Sequence, residues 1–362
     1  MSSLKITFKP IDTLFFRDGS PFNRGELQAN INMIFPPSPS TLAGAIRAAW
    51  ARAMGWDGGG HGGNWDEKCK AALGGGANLA NIKFDGCYLF KGSEPLFPAP
   101  AHLLGIPPAK PEKEGTPTKL TLLSPQTTLL TDIGEYQLSA TNDDIQGRKS
   151  LIEAWWMTAC GLRQILAGEL PATDSLIHQS KLWSVEQRTG NVRDPITRTT
   201  QEMALYAPQH IRLNDDVSLV MYAEGLDDSF IDSVQSNPQP VGGESRMCWL
   251  DIEHGSLANS LKSDAAKTDS QQIQIALTPI QLETSLRVND DFATGNIINL
   301  CNPRPIMLGG WHNNKPSQLM PHLRAGSVIF LQADTPQPSH TISTHGENQA
   351  WGFGRTISGI WT

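Results

Sequence analysis

The chain has 362 residues, 39% of them hydrophobic, with 33 glycines, 25 prolines and a formal net charge of −7. That length can bury a sizeable core and hold two domains, and so much glycine and proline favours turns and short elements over long helices. Five scattered cysteines, odd in number and never spaced Cys-x-x-Cys, exclude a zinc ribbon and a disulfide framework and fit a reducing cytoplasmic setting; no apolar run reaches the length of a membrane span.

Leu4 to Lys9 alternates apolar and polar residues, as a half-buried strand does. A helix is predicted from Ser38 to about Met54. Pro36 and Pro37 stiffen the approach, Ser38 stands at the cap and Pro39 at the first turn, where no backbone donor is wasted. The start of such a helix suits an anion. Leu42, Ile46, Ala49, Trp50 and Ala53 fall on one face, the spacing of a buried stripe, with Arg47 and Arg52 on its flanks. The opposite face carries only Gly44, Ala48 and Ala51. A glycine inside a helix costs about 1 kcal/mol relative to alanine, so Gly44 suggests close approach to the backbone. Either a second layer of the same domain or a separate body packs there.

Trp56 to Trp65 reads as a glycine-rich mobile loop. Ile82 to Phe90 reads as two strands broken at Asp85-Gly86, a hairpin signal. Residues 95–125 look irregular, an insertion suited to touching a neighbour. Ser150 to Ala167 is predicted as the clearest helix: Leu151, Trp155, Ala159, Leu162 and Leu166 share a face, Gly168 stands at the stop, and Trp156 fits the rim of the core. Strands are predicted at Val217–Tyr222, Ile273–Leu277 and Val328–Leu331, with a short helix over Asp227–Val234. The expected class is α+β, with strands framing two helices in a β-α-β-β-α-β, ferredoxin-like unit.

Charge is unevenly spread. Residues 1–56 hold six Lys/Arg against three Asp/Glu, residues 213–291 hold four against 14, and no acid occurs between Phe292 and Ala333. A basic groove survives beside an acidic face because screening acts within roughly 8 Å. The acidic block is a solvated surface or a docking face for a basic partner.

Several groups could meet RNA, which needs cations for phosphate, close backbone approach and stacking. Arg17 and Asp18 follow the apolar Leu14-Phe15-Phe16; they contact RNA or pair with each other across a turn. Residues 181–212 read as a loop studded with Arg188, Arg193, Arg198 and Arg212. Glycine pairs precede functional side chains at Gly242-Gly243 before Arg246, at Gly309-Gly310 before Trp311, and at Gly352 and Gly354 before Arg355. Backbone amides in such loops can wrap phosphate. None is a Walker loop, and the nine dispersed histidines form no metal pattern. No cofactor site is predicted. His210 and His312 are the only candidates for metal-independent cleavage of RNA.

The segments Leu14–Gly19, Phe35–Arg47, Trp183–Gly190, Leu205-Tyr206 with Arg212, Gly242–Arg246, Gly309–Trp311 and Arg324–Ser327, followed by a glycine-rich tail, together resemble the third subunit of the type III-B CRISPR (Cmr) effector complex, a member of the RAMP superfamily. The resemblance implies two ferredoxin-like units, over residues 1–180 and 181–362, the second carrying a glycine-rich loop. It implies a non-catalytic RNA-binding subunit that grips the 5′ handle of the guide CRISPR RNA. It also implies docking on the large polymerase-like subunit and on an adjacent RAMP backbone subunit, with no membrane partner. The matched positions add Ser40, Thr41, Gly44, Arg47 and Gly190 to the RNA-contacting set. The corresponding subunit of a type III-A (Csm) complex and a RAMP endoribonuclease that processes precursor guide RNA are the alternatives.

Overall fold

A computed structural model describes residues 3–17, 33–59, 65–113, 115–131, 134–193, 196–262, 266–312 and 315–362. Asp18 and most of the glycine run of the 56–65 loop lie outside them. The architecture is mixed α/β, mostly strands with few and short helices.

The elements used below are, in chain order, β1 (Leu4–Pro10), α1 (Pro39–Ala53), α2 (Glu67–Leu73), β2 (Lys83–Lys91), β3 (Glu94–Pro98), β4 (Trp155–Thr158), α3 (Ala159–Leu166), β5 (Leu176–His178), β6 (Trp183–Gln187), β7 (Gln209–Leu213), β8 (Val217–Glu224), α4 (Ile231–Gln235), β9 (Met247–His254), α5 (Leu257–Leu261), β10 (Gln271–Ala276), β11 (Gly295–Cys301), β12 (Val328–Ala333), β13 (Trp351–Gly352) and β14 (Arg355–Ile360). The first sheet runs β5-β4-β3-β2-β8-β1-β9. Within it β2-β8-β1-β9 are mutually antiparallel, and the crossovers from β1 to β2 and from β8 to β9 contain α1 and α4. The second sheet contains β11-β12-β10-β14, again antiparallel.

Burial follows the alternation read in the sequence. Leu4, Ile6 and Phe8 of β1 meet Leu42, Ile46, Ala49 and Trp50 of α1 in one core. Each such side chain contributes roughly 1.5–3 kcal/mol when removed from water. On the other face of the sheet, Tyr88, Phe90, Val220 and Tyr222 join Leu162 and Ile165 of α3, Leu257 of α5, and Ile273, Phe330 and Ile357 of the second sheet. Strand β8 is therefore buried on both faces, which is why Val217 to Ala223 reads as an almost unbroken apolar run.

Three expectations are corrected. The segment from Ser150 to Ala167 is helical only from Ala159, where the Thr158 hydroxyl accepts from the Gly161 amide. Trp155 and Met157 face the second core and Trp156 the first, so this stretch is a strand buried on both sides. A short apolar run fits both periods, and the free edge of β3 decides for the strand. Asp85-Gly86 is not a hairpin but a bulge in a continuous β2, with Gly86 at φ +109°; a Cβ there would lie 2.7 Å from the Tyr88 ring. The arginine-bearing segment 181–212 is a β-hairpin rather than a loop. The first sheet takes strands from residues 4–254 and adds β13 beside β2, on both sides of the boundary expected at residue 180, while the strands of the second lie within residues 271–360. The crossovers of that second sheet, residues 277–294 and 334–354, hold no helix, and α3 and α5 cover it instead.

Candidate nucleic-acid interface

Three segments distant in sequence meet beside the first sheet. Strands β6 and β7 pair from Trp183↔Leu213 to Gln187↔Gln209, and the hairpin continues through Gly190–Arg193 against Thr200–Tyr206. Leu14 bridges Ile211, tying the stretch after β1 to the hairpin. The Gly243 amide donates to the Phe15 carbonyl at 2.9 Å, tying in the 242–246 turn. Glycine is required at 242 by this approach, since a Cβ there would stand 2.5 Å from the Phe15 carbonyl oxygen.

The junction carries three arginines and three carboxylates. Asp12 accepts from Arg188 Nη2 at 2.9 Å, Arg212 Nη2 at 3.0 Å and Arg246 Nη1 at 3.4 Å. Glu186 accepts from Arg188 Nε at 2.7 Å and from Arg212 Nη2 at 2.6 Å. Glu244 accepts from Arg246 Nη2 at 3.4 Å. The Arg188 hydrogen bond first, with help from Arg212, holds the Asp12 carboxyl below its ordinary range; Arg212 and then Arg188 do the same for Glu186. The cluster is formally neutral, so it exerts little long-range pull on phosphate. What it supplies is geometry: carboxylates fix the guanidinium planes, so less side-chain entropy is lost when another ligand binds. Arg212 stays half exposed, and among the described residues Nη1 of Arg188 and of Arg212 has no hydrogen-bond partner. Those are donors for an incoming anion.

His210 lies beneath the cluster with no exposed side-chain surface. Its Nδ1 is 3.0 Å from Thr13 Oγ1, its Nε2 is 3.1 Å from a Glu244 carboxylate oxygen, and its ring stacks on Phe15. Burial first, and Arg246 second, lower its pKa. With no exposed surface, the imidazole presents no open ring nitrogen at the surface of the cluster. The side chain of His312 lies outside the described residues.

The other expected contacts separate. Arg47 is turned into the fold: it is 6% exposed, and its Nε, Nη1 and Nη2 donate to the carbonyls of Leu73, Gly76 and Asn78 at 3.0, 3.1 and 3.2 Å. Its guanidinium also sits 5.2 Å from the rings of Trp65 and Trp351, and burial draws its pKa down to about 10. The glycine-rich tail packs against α1, where a Cβ on Gly352 would stand 3.3 Å from that of Pro39. A Cβ on Gly352 would stand 2.3 Å from the Gly86 carbonyl oxygen, one on Gly354 1.9 Å from that of His345, and Arg355 Nε lies 3.0 Å from Asp85. These residues serve the chain's own backbone rather than an open phosphate cradle.

Gly44 behaves differently. A Cβ built on it meets nothing within 4 Å, so the fold gives no reason for glycine there. Ser40 and Thr41 lie half-buried in the first turn of the same helix; Ser38 does not cap it, its hydroxyl lying 2.8 Å from that of Ser40. Arg17 bridges Met33, and Arg198 is exposed at the hairpin's far end with φ +56°. Gly190 pairs with Tyr206 in the hairpin; the side chain of Arg193 is outside the described residues. Gly309 and Gly310 connect short strands apart from the arginine cluster, and the Trp311 side chain is not described. Asp12, which organises the cluster, gave no signal in the sequence; Glu186 and Glu244 stood inside motifs noted only for their arginines. Among the described residues no group of His, Cys, Asp and Glu could hold a metal, and no helix is long and apolar enough to cross a membrane.

The chain as a whole matches a known class. The family model of the CRISPR-associated protein (Cas_Cmr3) fits residues 6–361. The chain belongs to that family, the RAMP-type subunits of type III-B Cmr complexes. Among solved structures it is similar to a chain of the type III-B Cmr-beta complex bound to cognate target RNA and AMPPnP, with 18% identity over 90% of this chain and 86% of that one and a TM-score of 0.50. A second structure of that complex bound to cognate target RNA gives 17% identity, the same coverage and a TM-score of 0.49. A chain of a Csm3-Csm4 subcomplex from a type III-A interference complex gives 13% identity over 92% of this chain and 98% of that one, with a TM-score of 0.38. No curated protein sequence matches the chain.

Proposed function

We propose that this chain is a non-catalytic, guide-RNA-gripping subunit of a type III-B effector complex. It holds the 5′ handle of the CRISPR RNA and docks against the large polymerase-like subunit and an adjacent RAMP backbone subunit. The observation that carries the reading is the convergence of Arg188, Arg212 and Arg246 on Asp12, from segments up to 234 residues apart. Preset guanidinium forks suit phosphate oxygens, which they bind in pairs. The unfilled space over Gly44 suits a sugar-phosphate chain crossing the helix. Related complexes were solved with RNA bound, in keeping with this role. Both sheets descend from the ferredoxin-like unit in this reading: the first keeps its helices and the second keeps only its strand order. Cleavage and nucleotide chemistry fall to other subunits in this reading.

Ultraviolet cross-linking of the guide in the assembled complex, followed by peptide mapping, tests the proposal. Cross-links are expected within residues 183–213 and 39–47. Guide cross-links confined to other subunits would overturn it.

A further inference from the structure

The chain has a second β-hairpin, and its chemistry is opposite to the first. Ser124–Thr131 pairs with Gly134–Ala140 in a two-stranded sheet that takes up no third strand. It is anchored near its base, where Ser139 Oγ donates to Asn299 Oδ1 at 3.0 Å and Cys301 Sγ lies 3.2 Å from Ser139 Oγ. The Gln137 carbonyl also accepts from Asn299 Nδ2; around and beyond this anchor Leu138, Leu129 and Leu130 are 46%, 45% and 76% exposed. The register sets Thr127 opposite Leu138 and Leu129 opposite Tyr136, so Leu129 and Leu138 share one face and Leu130 takes the other. One face thus presents Leu129 and Leu138 to solvent, and Leu130 stands open on the other beside Thr128 and Gln137. An isolated two-stranded hairpin is marginal in water, and exposed clustered leucines mark contact surfaces.

Charge selects the partner. Residues 124–140 contain two Asp/Glu and no Lys or Arg, whereas residues 183–213 carry four arginines against three acids. The first offers a phosphate backbone no cation, while the second offers it guanidinium donors. We propose that the 124–140 hairpin is a protein-docking finger, inserted into an apolar groove with a basic rim on a neighbouring subunit of the assembly. This rests on the reading of the chain as an effector subunit, and not on its guide contacts.

The test uses the complex assembled from co-expressed subunits. A benzophenone amino acid at position 130 is photoactivated, and the double variant Leu129→Ser/Leu130→Ser is compared with the parent by native mass spectrometry and by guide cross-linking at residues 183–213. The expected result is one protein subunit cross-linked at 130 through a peptide rich in Lys, Arg and apolar residues. The double variant should lose that subunit at least tenfold more readily, with guide cross-links intact and a melting temperature within about 2 °C of the parent, as exposed substitutions permit. Photo-capture of RNA at position 130, or unchanged retention of every subunit by the variant, would overturn the proposal. Loss of guide cross-links in the parent itself would instead refute the guide-binding reading.

Discussion

Replacing Arg47 by alanine separates two roles that the sequence leaves confounded. If Arg47 contacts the guide, the variant folds normally and loses RNA. The structure predicts the reverse. Its donors occupy three carbonyls of the 73–78 segment, and two tryptophan faces flank it. Stranding three carbonyls costs about 1 kcal/mol each, and losing each ring contact about 0.5 kcal/mol, about 4 kcal/mol in all. The low end of each range is used because alanine also removes a buried charge, whose expense shows in the pKa near 10. For 362 residues the unfolding entropy is about 0.76 kcal/mol per degree, so the melting temperature should fall by about 5 °C. Arg47→Lys keeps the charge but not the fork, and should lie between alanine and the parent. Differential scanning fluorimetry gives the stability, and RNA content per folded complex gives the binding. A melting temperature within 1 °C of the parent, together with lost guide, would refute this reasoning.

Gly44→Ala should act in the opposite sense: about 1 kcal/mol more stable by denaturant melt, because the added methyl meets no atom, yet poorer in guide retention. Greater stability with unchanged retention would show that nothing crosses that face. His102 is 3% exposed, packs edge-on to Phe330, and burial lowers its pKa to about 3. Neutral when folded and titrating near 6.5 when unfolded, it contributes stability that is complete above pH 6.5 and lost as pH falls toward 3. The loss should be about 2 kcal/mol by pH 5, and His102→Phe should shrink the drop in melting temperature between pH 7 and 5. An identical pH profile for the variant would remove His102 from the account.

What the sequence discloses and what it hides follow from the range of the interactions. Helix α1 was legible because Leu42, Ile46, Ala49 and Trp50 lie within three turns and obey one period. Strands β1, β8, β10 and β12 were legible for the same local reason. Residues 155–158 were misread because Trp155, Trp156 and Met157 suit a helical stripe as well as a strand buried on both faces. The pairing of β6 with β7 was missed because its turn lies among polar, threonine-rich residues without a short hairpin signal. Within the site, Arg188, Arg212 and Arg246 stood in recognisable motifs. Asp12 bonds them across 176, 200 and 234 residues, a relation no window of sequence contains. Arg47 misled for a related reason: an arginine beside an apolar stripe reads as surface until the 73–78 carbonyls are found around it.

The central claim is that the Asp12-centred arginines take phosphates of the guide. It is tested most directly by titrating the assembled, guide-free complex with handle RNA over a range of salt, for the parent and for Arg188→Ala/Arg212→Ala. The account predicts weaker binding and a log–log salt slope shallower by about 1.4, two phosphate contacts at about 0.7 each for a single strand. Superimposable titrations from a normally folded variant would contradict it.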